Sequence, residues 1–460
     1  MPEDITGLAA ALRAGALTAE ALLDRALARI AAGDGALNSF VALDDAGARA
    51  AARDSDRRRA AGAARSALDG VPLSIKDNLL AAGLPATWGS RALAGFVPAE
   101  DELPVARLRA AGAVILGKTN VPELTVEGYT ANDLFGVTGN PWNPALTPGG
   151  SSGGAAASVA AGFVPGAIGT DAGGSIRRPA SHTGLVGWKP STGRIARFGG
   201  FPTILSDFEV IGTLTRSLAD ARLLDDVLRG PDARDRRSLL VPGTGWAGKP
   251  RVLYVPQFGS SPVDPEVAAA TRGFAEALTE TGADVTEGAV FFDLSAAGRV
   301  WSAITRAGVA HIMTWQPGFE AVAGASVRAM AAEGRLVTGT DYVASLETVA
   351  VLRAQFASLF ASYDLVLTPA AAALPWDAAA PYPTRIDGQE AGPRDHAIFT
   401  GWVNIGGLPA VSLPVALSQT NLPIGVQLVA GFGQDEALLD FAAEAARLMP
   451  APALPLSSSP

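Results

Sequence analysis

Two long stretches of this chain, Leu134 to Thr170 and His396 to Gln434, contain no Asp, Glu, Lys or Arg. A chain that keeps so much sequence free of charge must bury it, because charged side chains are what a solvated surface is made of. Either stretch is long enough to cross a bilayer. Both, however, are interrupted by Pro, Gly, Asn, Ser and Thr, whereas a span requires a nearly unbroken apolar helix. They therefore read as the buried centre of a globular fold. With 460 residues, 48% of them hydrophobic and 18% charged, the chain can bury a large core. A length prior of roughly 150 residues per domain would divide it into about three domains, although that prior is soft.

Charge and cysteine content remove several classes of function. A formal net charge of -9 disfavours nucleic acid or an anionic membrane as partner, since both select clustered Lys and Arg. The absence of cysteine excludes disulfides, thiol catalysis and zinc-thiolate centres. The N-terminus, Met1-Pro2-Glu3-Asp4, begins acidic and has no apolar segment of the secretory kind, so a cytoplasmic protein is expected.

Periodicity suggests how the chain is organised. Residues 1–66 are rich in Ala, Leu and Arg at helical spacing and read as an N-terminal helical segment packed on the core. From Gly70 onward, short apolar runs such as Val71-Pro72-Leu73-Ser74-Ile75 and Ala113-Val114-Ile115-Leu116 alternate with helix-like stretches such as Val105 to Ala111, the pattern of an α/β sheet. Residues 67–230 form the main part of this core. A charged stretch punctuated by Pro and Gly near Gly230 to Pro250 opens an insertion or second lobe, 231–345, more variable and expected to line the substrate pocket, with a strand at Arg251 to Val255 and a helix at Pro265 to Thr281. Residues 346–450 return to the α/β pattern with strands at Asp364 to Thr368 and Gly425 to Val429, and 451–460 read as a frayed tail.

Four motifs carry chemical meaning. Gly112 to Thr119 fits the phosphate-loop pattern G-x-x-x-x-G-K-[ST], but its four intervening residues are themselves strand-like and no helix opens after it, which contradicts the context such a loop needs. Gly150-Ser151-Ser152-Gly153-Gly154 fits the nucleophile elbow G-x-S-x-G, with His311 or His396 as a downstream base, although Pro144 and Pro148 spoil the strand that should precede it. Ser175 lies in Gly169-Thr170-Asp171-Ala172-Gly173-Gly174-Ser175-Ile176-Arg177, where glycines let the backbone approach a substrate and turn N–H groups toward a developing oxyanion. Lys76 ends the apolar run 71–75 and precedes Asp77. It can be read as a strand-end lysine paired with a carboxylate, or as an amine that burial keeps neutral so that it serves as a general base.

Read together, these patches resemble the amidase signature family of serine hydrolases. The likeness runs through Gly70 to Asp77, Ala111 to Leu124, Phe135 to Asn143, both serine patches, Gly187-Trp188-Lys189-Pro190, Leu408-Pro409-Ala410 and Leu422 to Leu428. The resemblance implies a single α/β/α domain around a large mixed central β-sheet flanked by helices. It implies Ser175 as nucleophile, Ser151 as a bridging serine preceded by a cis peptide, and Lys76 as terminal base. The two serines stand 24 residues apart, the separation usual in that family. Ser152 and Thr170 match supporting positions, and the N–H groups of Ala172, Gly173, Gly174 and Ser175 match the oxyanion hole. Asp171 and Arg177 are expected to hold the loop together. Variable segments suggest substrate contacts from Thr87-Trp88, Tyr129-Thr130, Phe135, the stretch from Trp301 to Trp315, and Phe399 to Trp402, with Trp88, Tyr129, Thr130, Phe135, Trp315 and Trp402 foremost, hence an aryl or apolar amide, with aryl esters or carbamates as related substrates. The alternative is the transamidating subunit of a glutamine-dependent amidotransferase. No cofactor and no metal are expected. The partner implied is a small-molecule amide, with a homodimer left open and no nucleic acid or membrane.

Overall fold

The computed structural model describes residues 4–239, 242–290, 292–449 and 452–455. Its centre is one mixed sheet of eleven strands: β1 (Phe40–Leu43), β2 (Pro72–Lys76), β3 (Val114–Thr119), β4 (Gly166–Asp171), β5 (Val186–Lys189), β6 (Val210–Thr215), β7 (Arg251–Tyr254), β8 (Asp284–Glu287), β9 (Leu365–Pro369), β10 (Ala410–Leu417) and β11 (Pro423–Ala430). The spatial order is β1-β3-β2-β4-β6-β5-β10-β11-β9-β7-β8. Every residue of β2, β3, β4 and β11 is buried, as expected of strands covered by helices on both faces. The charge-free stretches supply all of β4 but its last residue, β10, β11 and the buried helix Gly153–Ala160, so the centre of the fold is where the sequence is least polar.

Three expectations about organisation change. Residues 5–60 are not purely helical, because Phe40–Leu43 pairs antiparallel with β3 and forms one edge of the sheet. The turn that allows this is Asn38, which ends the helix Ala19–Leu37 in the left-handed conformation. The lobe 231–345 is not separate either: β7 pairs in parallel with β9, and β8 with β7, so both extend the same sheet at its other edge. Of the tail, residues 451 and 456–460 lie outside the described residues, while Leu454 packs against the main hydrophobic cluster. At the opposite end of the chain, the Asp220 carboxylate accepts from the N–H groups of Ile5 (3.1 Å) and Thr6 (2.8 Å), capping the first helix and tying it to the body.

One helix among the described residues, Gly339–Ser362, is long and apolar enough to cross a membrane by length and composition. Sequence periodicity does not single it out, because it carries charges. Val349, Leu352, Phe356 and Leu359 bury one side of it in a hydrophobic cluster that includes Phe292, Val300 and Trp402.

Candidate active site

The site forms where two parallel strands end side by side. β2 and β4 are parallel neighbours, with Ser74 opposite Ala167 and Ile75 opposite Ile168, so Lys76 and the Thr170-Asp171 pair emerge at the same edge of the sheet. In open α/β sheets, sites gather at such carboxyl-terminal strand edges. Lys76 is fully buried and makes three contacts: its Nζ lies 2.9 Å from Ser151 Oγ, 2.9 Å from Thr170 Oγ1 and 3.1 Å from the Thr170 carbonyl. All three partners are neutral oxygens, and no carboxylate among the described residues stands at ion-pair distance. Burial therefore dominates and pulls the ammonium from its ordinary 10.5 down to about 7, although Glu209 and Asp171 favour the charge. The carboxylate of neighbouring Asp77, which an ion-pair reading would assign to Lys76, instead meets Lys118 at 3.2 Å.

Ser151 sits at the entrance of the helix Gly153–Ala160, and the Gly150-Ser151 peptide is cis. The helix can reach this deep because its start is glycine: a Cβ on Gly154 would strike the backbone of Asn120 at the end of β3. Ser152 donates its hydroxyl to the Thr170 carbonyl at 3.2 Å and its N–H to the Ser175 carbonyl at 3.1 Å, joining the two serine loops. Thr170 Oγ1 also receives the Asn78 amide at 3.0 Å, a contact not anticipated from sequence although Asn78 stands two residues after Lys76.

The Ser175 loop is organised around Asp171. Its carboxylate accepts from Gly174 N–H (2.7 Å), from Ile176 N–H (3.1 Å) and from Arg177 Nη2 (2.8 Å) and Nε (3.0 Å). The Arg177 guanidinium beside it holds the Asp171 carboxyl well below the usual carboxylate range against the opposing effect of burial. Arg177 is in turn fixed by Gln427 Oε1 at 2.5 Å and Asn404 Oδ1 at 2.6 Å. Asp171 and Arg177 thus hold the loop, as expected. The oxyanion expectation narrows: Gly174 N–H is taken by Asp171, while Ala172, Gly173 and Ser175 keep N–H groups without a hydrogen-bond partner among the described residues. Gly174 has φ +106, and a Cβ there would strike Thr400, so only glycine fits. The Ser175 hydroxyl makes no hydrogen bond among the described residues, and Ser175 retains 7% of its exposure against 1% for Ser151.

Beside this loop lies a cavity of about 520 Å³ whose wall includes Leu294, Ala297, Trp301, Met330, Trp402 and Ile405. Trp301 connects the two, since its ring rests against Gly173. Arg394 lies 5.2 Å over the Trp301 ring, and Glu127 stands on the same wall. Of the residues expected to touch substrate, Trp402 lines this cavity. Trp88 stacks on Phe201 at 4.7 Å and Trp315 meets the edge of the same ring at 5.9 Å, so these two belong to an aromatic cluster instead. Thr130 is buried and backs the serine loop through the Gly149 carbonyl at 2.8 Å. Tyr129 packs its backbone on Gly150, and Phe135 gives its carbonyl to Asn38 at 2.7 Å. A larger cavity, about 960 Å³, is lined by Thr192, Arg353, Phe356 and Phe432; neither cavity is lined by a residue of the serine loops, and the smaller one is tied to them through Trp301 against Gly173.

The competing motifs find other roles. Lys118 is buried on Asp77 and on the Leu79 carbonyl at 2.7 Å, where it cannot meet a phosphate. His311 is exposed, and His396 Nε2 faces Arg178 Nη1 at 3.0 Å rather than a serine; burial and nearby arginines hold its imidazolium form well below the ordinary range.

With this geometry in view, the likenesses to known proteins are specific. The sequence model of the family described as Amidase matches residues 21–439. The chain is 36% identical over 463 residues to a glutamyl-tRNA(Gln) amidotransferase subunit of Synechococcus sp. (strain CC9605), covering 94% of this chain and 93% of that one. In three dimensions it resembles a 6-aminohexanoate cyclic dimer hydrolase complexed with its substrate (TM-score 0.86, 30% identity, 97% of each chain). It also resembles a bacterial aryl acylamidase of the amidase signature enzymes (TM-score 0.89, 27% identity, 97% of this chain and 96% of that one).

Proposed function

This chain belongs to the amidase signature family, and from that membership we propose that it hydrolyses carboxylic acid amides through an acyl-enzyme on Ser175. One observation carries the reading: a buried lysine with no counter-ion among the described residues lies 2.9 Å from the hydroxyl of Ser151, whose loop is joined to that of Ser175. Neutral Lys76 takes the Ser151 proton as Ser151 takes that of Ser175, and Ser175 Oγ bonds to the substrate carbonyl carbon. The carbonyl oxygen becomes an oxyanion facing the N–H groups of Ala172, Gly173 and Ser175. The proton returns through the relay to the nitrogen, the C–N bond breaks and the amine leaves. Water then repeats the sequence on the ester and frees the acid. The Ser175-to-Ser151 hydrogen bond is formed with substrate seated, as catalytic contacts commonly tighten only then.

The aromatic and aliphatic wall of the cavity supports an aryl or apolar group on the amide, and the same tetrahedral chemistry admits aryl esters and carbamates. No cofactor or metal enters this scheme, and the partner is a small molecule. The second reading, a transamidating subunit that passes ammonia from glutamine to a partner protein, is favoured by the likeness to the glutamyl-tRNA(Gln) amidotransferase chain. Assaying the isolated chain on aryl amides, aryl esters, carbamates and glutamine separates the two: turnover of aryl amides that disappears in Ser175→Ala supports hydrolysis, and turnover of glutamine alone supports transamidation. Lys76→Ala is expected to be folded and nearly inactive on every substrate; substantial remaining activity contradicts the relay.

A further inference from the structure

The relay leaves one large charged side chain beside the serine loops without a task. Arg178 is buried, and among the described residues no carboxylate stands at ion-pair distance from its guanidinium. A buried cation without a counter-ion is costly, so the contacts it makes in place of one are informative. Its Nη2 donates to the Gly150 carbonyl at 3.2 Å, its Nε to the Gly174 carbonyl at 3.4 Å, and its Nη1 meets His396 Nε2 at 3.0 Å. The first carbonyl belongs to the peptide that leads into Ser151, the second to the peptide that leads into Ser175. The Gly174 carbonyl receives the Arg178 N–H as well, at 2.9 Å. The far end of that peptide is the Ser175 N–H, one of the three donors left without a partner. A cation bonded to the carbonyl end of a peptide polarises it and strengthens the N–H end as a donor.

Resting on the acyl-enzyme reading above, we propose that Arg178 is a positioning residue: its single planar fork sets the Ser151 loop against the Ser175 loop and charges the Ser175 N–H for the oxyanion. His396 holds the third arm of the fork. With Nε2 accepting from Arg178, its proton is assigned to Nδ1, so the histidine that the elbow motif offered as a base serves as a brace. The titratable groups that face Arg178 are Arg177 and Asp171, Arg394 beside His396, and His182 in its own helix, whose imidazole burial brings down to about 4 and so leaves neutral. Burial, with Arg394 and Arg177 adding to it, brings the guanidinium down to about 9, so it is still a cation at neutral pH. Lys76 is faced by Glu209 and Asp171, which favour its proton, and by Arg197 and Arg178, which oppose it.

The test compares Arg178→Gln and Arg178→Lys with the wild type by steady-state kinetics on an aryl amide across pH, with the unfolding midpoint measured for each. Arg178→Gln is expected to fold, to keep KM and to lose kcat roughly 10- to 100-fold, since it weakens an oxyanion donor without deleting it. Its acid limb of kcat/KM moves to higher pH, because without the cation Lys76 holds its proton longer. Arg178→Lys loses the fork, and a buried ammonium without a counter-ion sheds its proton as Lys76 and Lys189 do, so kcat falls here too while KM is kept. A folded Arg178→Gln with wild-type kcat and an unmoved limb overturns the proposal. Should Arg178→Gln not fold, Arg178→Lys decides: reduced kcat at unchanged KM in a folded protein supports the proposal, and wild-type kcat overturns it. Failure of the underlying reading looks different, since there Lys76→Ala keeps its activity whatever Arg178 does.

Discussion

Three buried lysines show how the partner, rather than burial alone, decides what an amine can do. Lys118 lies 3.2 Å from the Asp77 carboxylate and has a counter-ion. Lys189 has only carbonyls, those of Pro190 at 3.0 Å and Leu408 at 2.6 Å, and burial takes it down to about 7. Lys76 falls to about 7 as well, but its partners include hydroxyls, which can give it a proton. At this scale the pH dependence follows. Activity requires Lys76 without its proton, so kcat/KM should rise with pH through about 7 and level off above it. Initial rates on an aryl amide from about pH 5 to about pH 9 check this; a profile flat across that range is incompatible with a lysine base.

The geometry that brings these side chains together belongs to elements. β2 and β4 are parallel neighbours and deliver Lys76 and Asp171 to one edge, where Asp171 and Arg177 lock the turn that follows. Removing one partner of a buried pair leaves the other charge uncompensated. Asp171→Asn should therefore cost about 3–5 kcal/mol of stability, read from the denaturant midpoint, together with activity; a loss below about 1 kcal/mol would mean that Gln427 and Asn404 suffice to hold Arg177. The same elements explain how much could be read in advance. Both serine loops and Lys76 were legible because local constraints write them: glycines where a Cβ would collide, and a lysine closing an apolar strand. Asn404 was not legible, since it meets Arg177 across 227 residues of chain. Trp301 was legible only as the start of the stretch 301–315 offered as pocket lining, not as the side chain against Gly173, because a large aromatic in a helix looks the same whether it fills a core or lines a pocket. The one available signal was polarity out of place, since Asn404 and Gln427 stand inside the charge-free stretch 396–434. The strand Phe40–Leu43 escaped because four residues between helices carry too little periodicity to declare themselves.

For the molecule as a whole, burying two amines inside one sheet ties stability to pH. An unfolded lysine titrates near 10.5, whereas Lys76 and Lys189 in the fold titrate near 7. Between these values the unfolded chain binds more protons than the folded one, so stability rises with pH across the window and the slope vanishes below about 7. The unfolding temperature should climb as pH is raised from about 7.5 to about 9.5, and Lys189→Met should flatten the climb without abolishing turnover. An equal climb in Lys189→Met would trace the slope to other groups. A neutral Lys76 that activates Ser175 through Ser151 is the centre of the chemistry. The most direct measurement is the rate at which an aryl fluorophosphonate labels Ser175, followed by intact mass across pH in the wild type and in Lys76→Met. The wild type should gain one adduct on Ser175 at a rate that rises through about pH 7, and Lys76→Met should label at least about a hundredfold more slowly at every pH. Equal labelling rates in the two proteins, or an adduct on another residue, would contradict it.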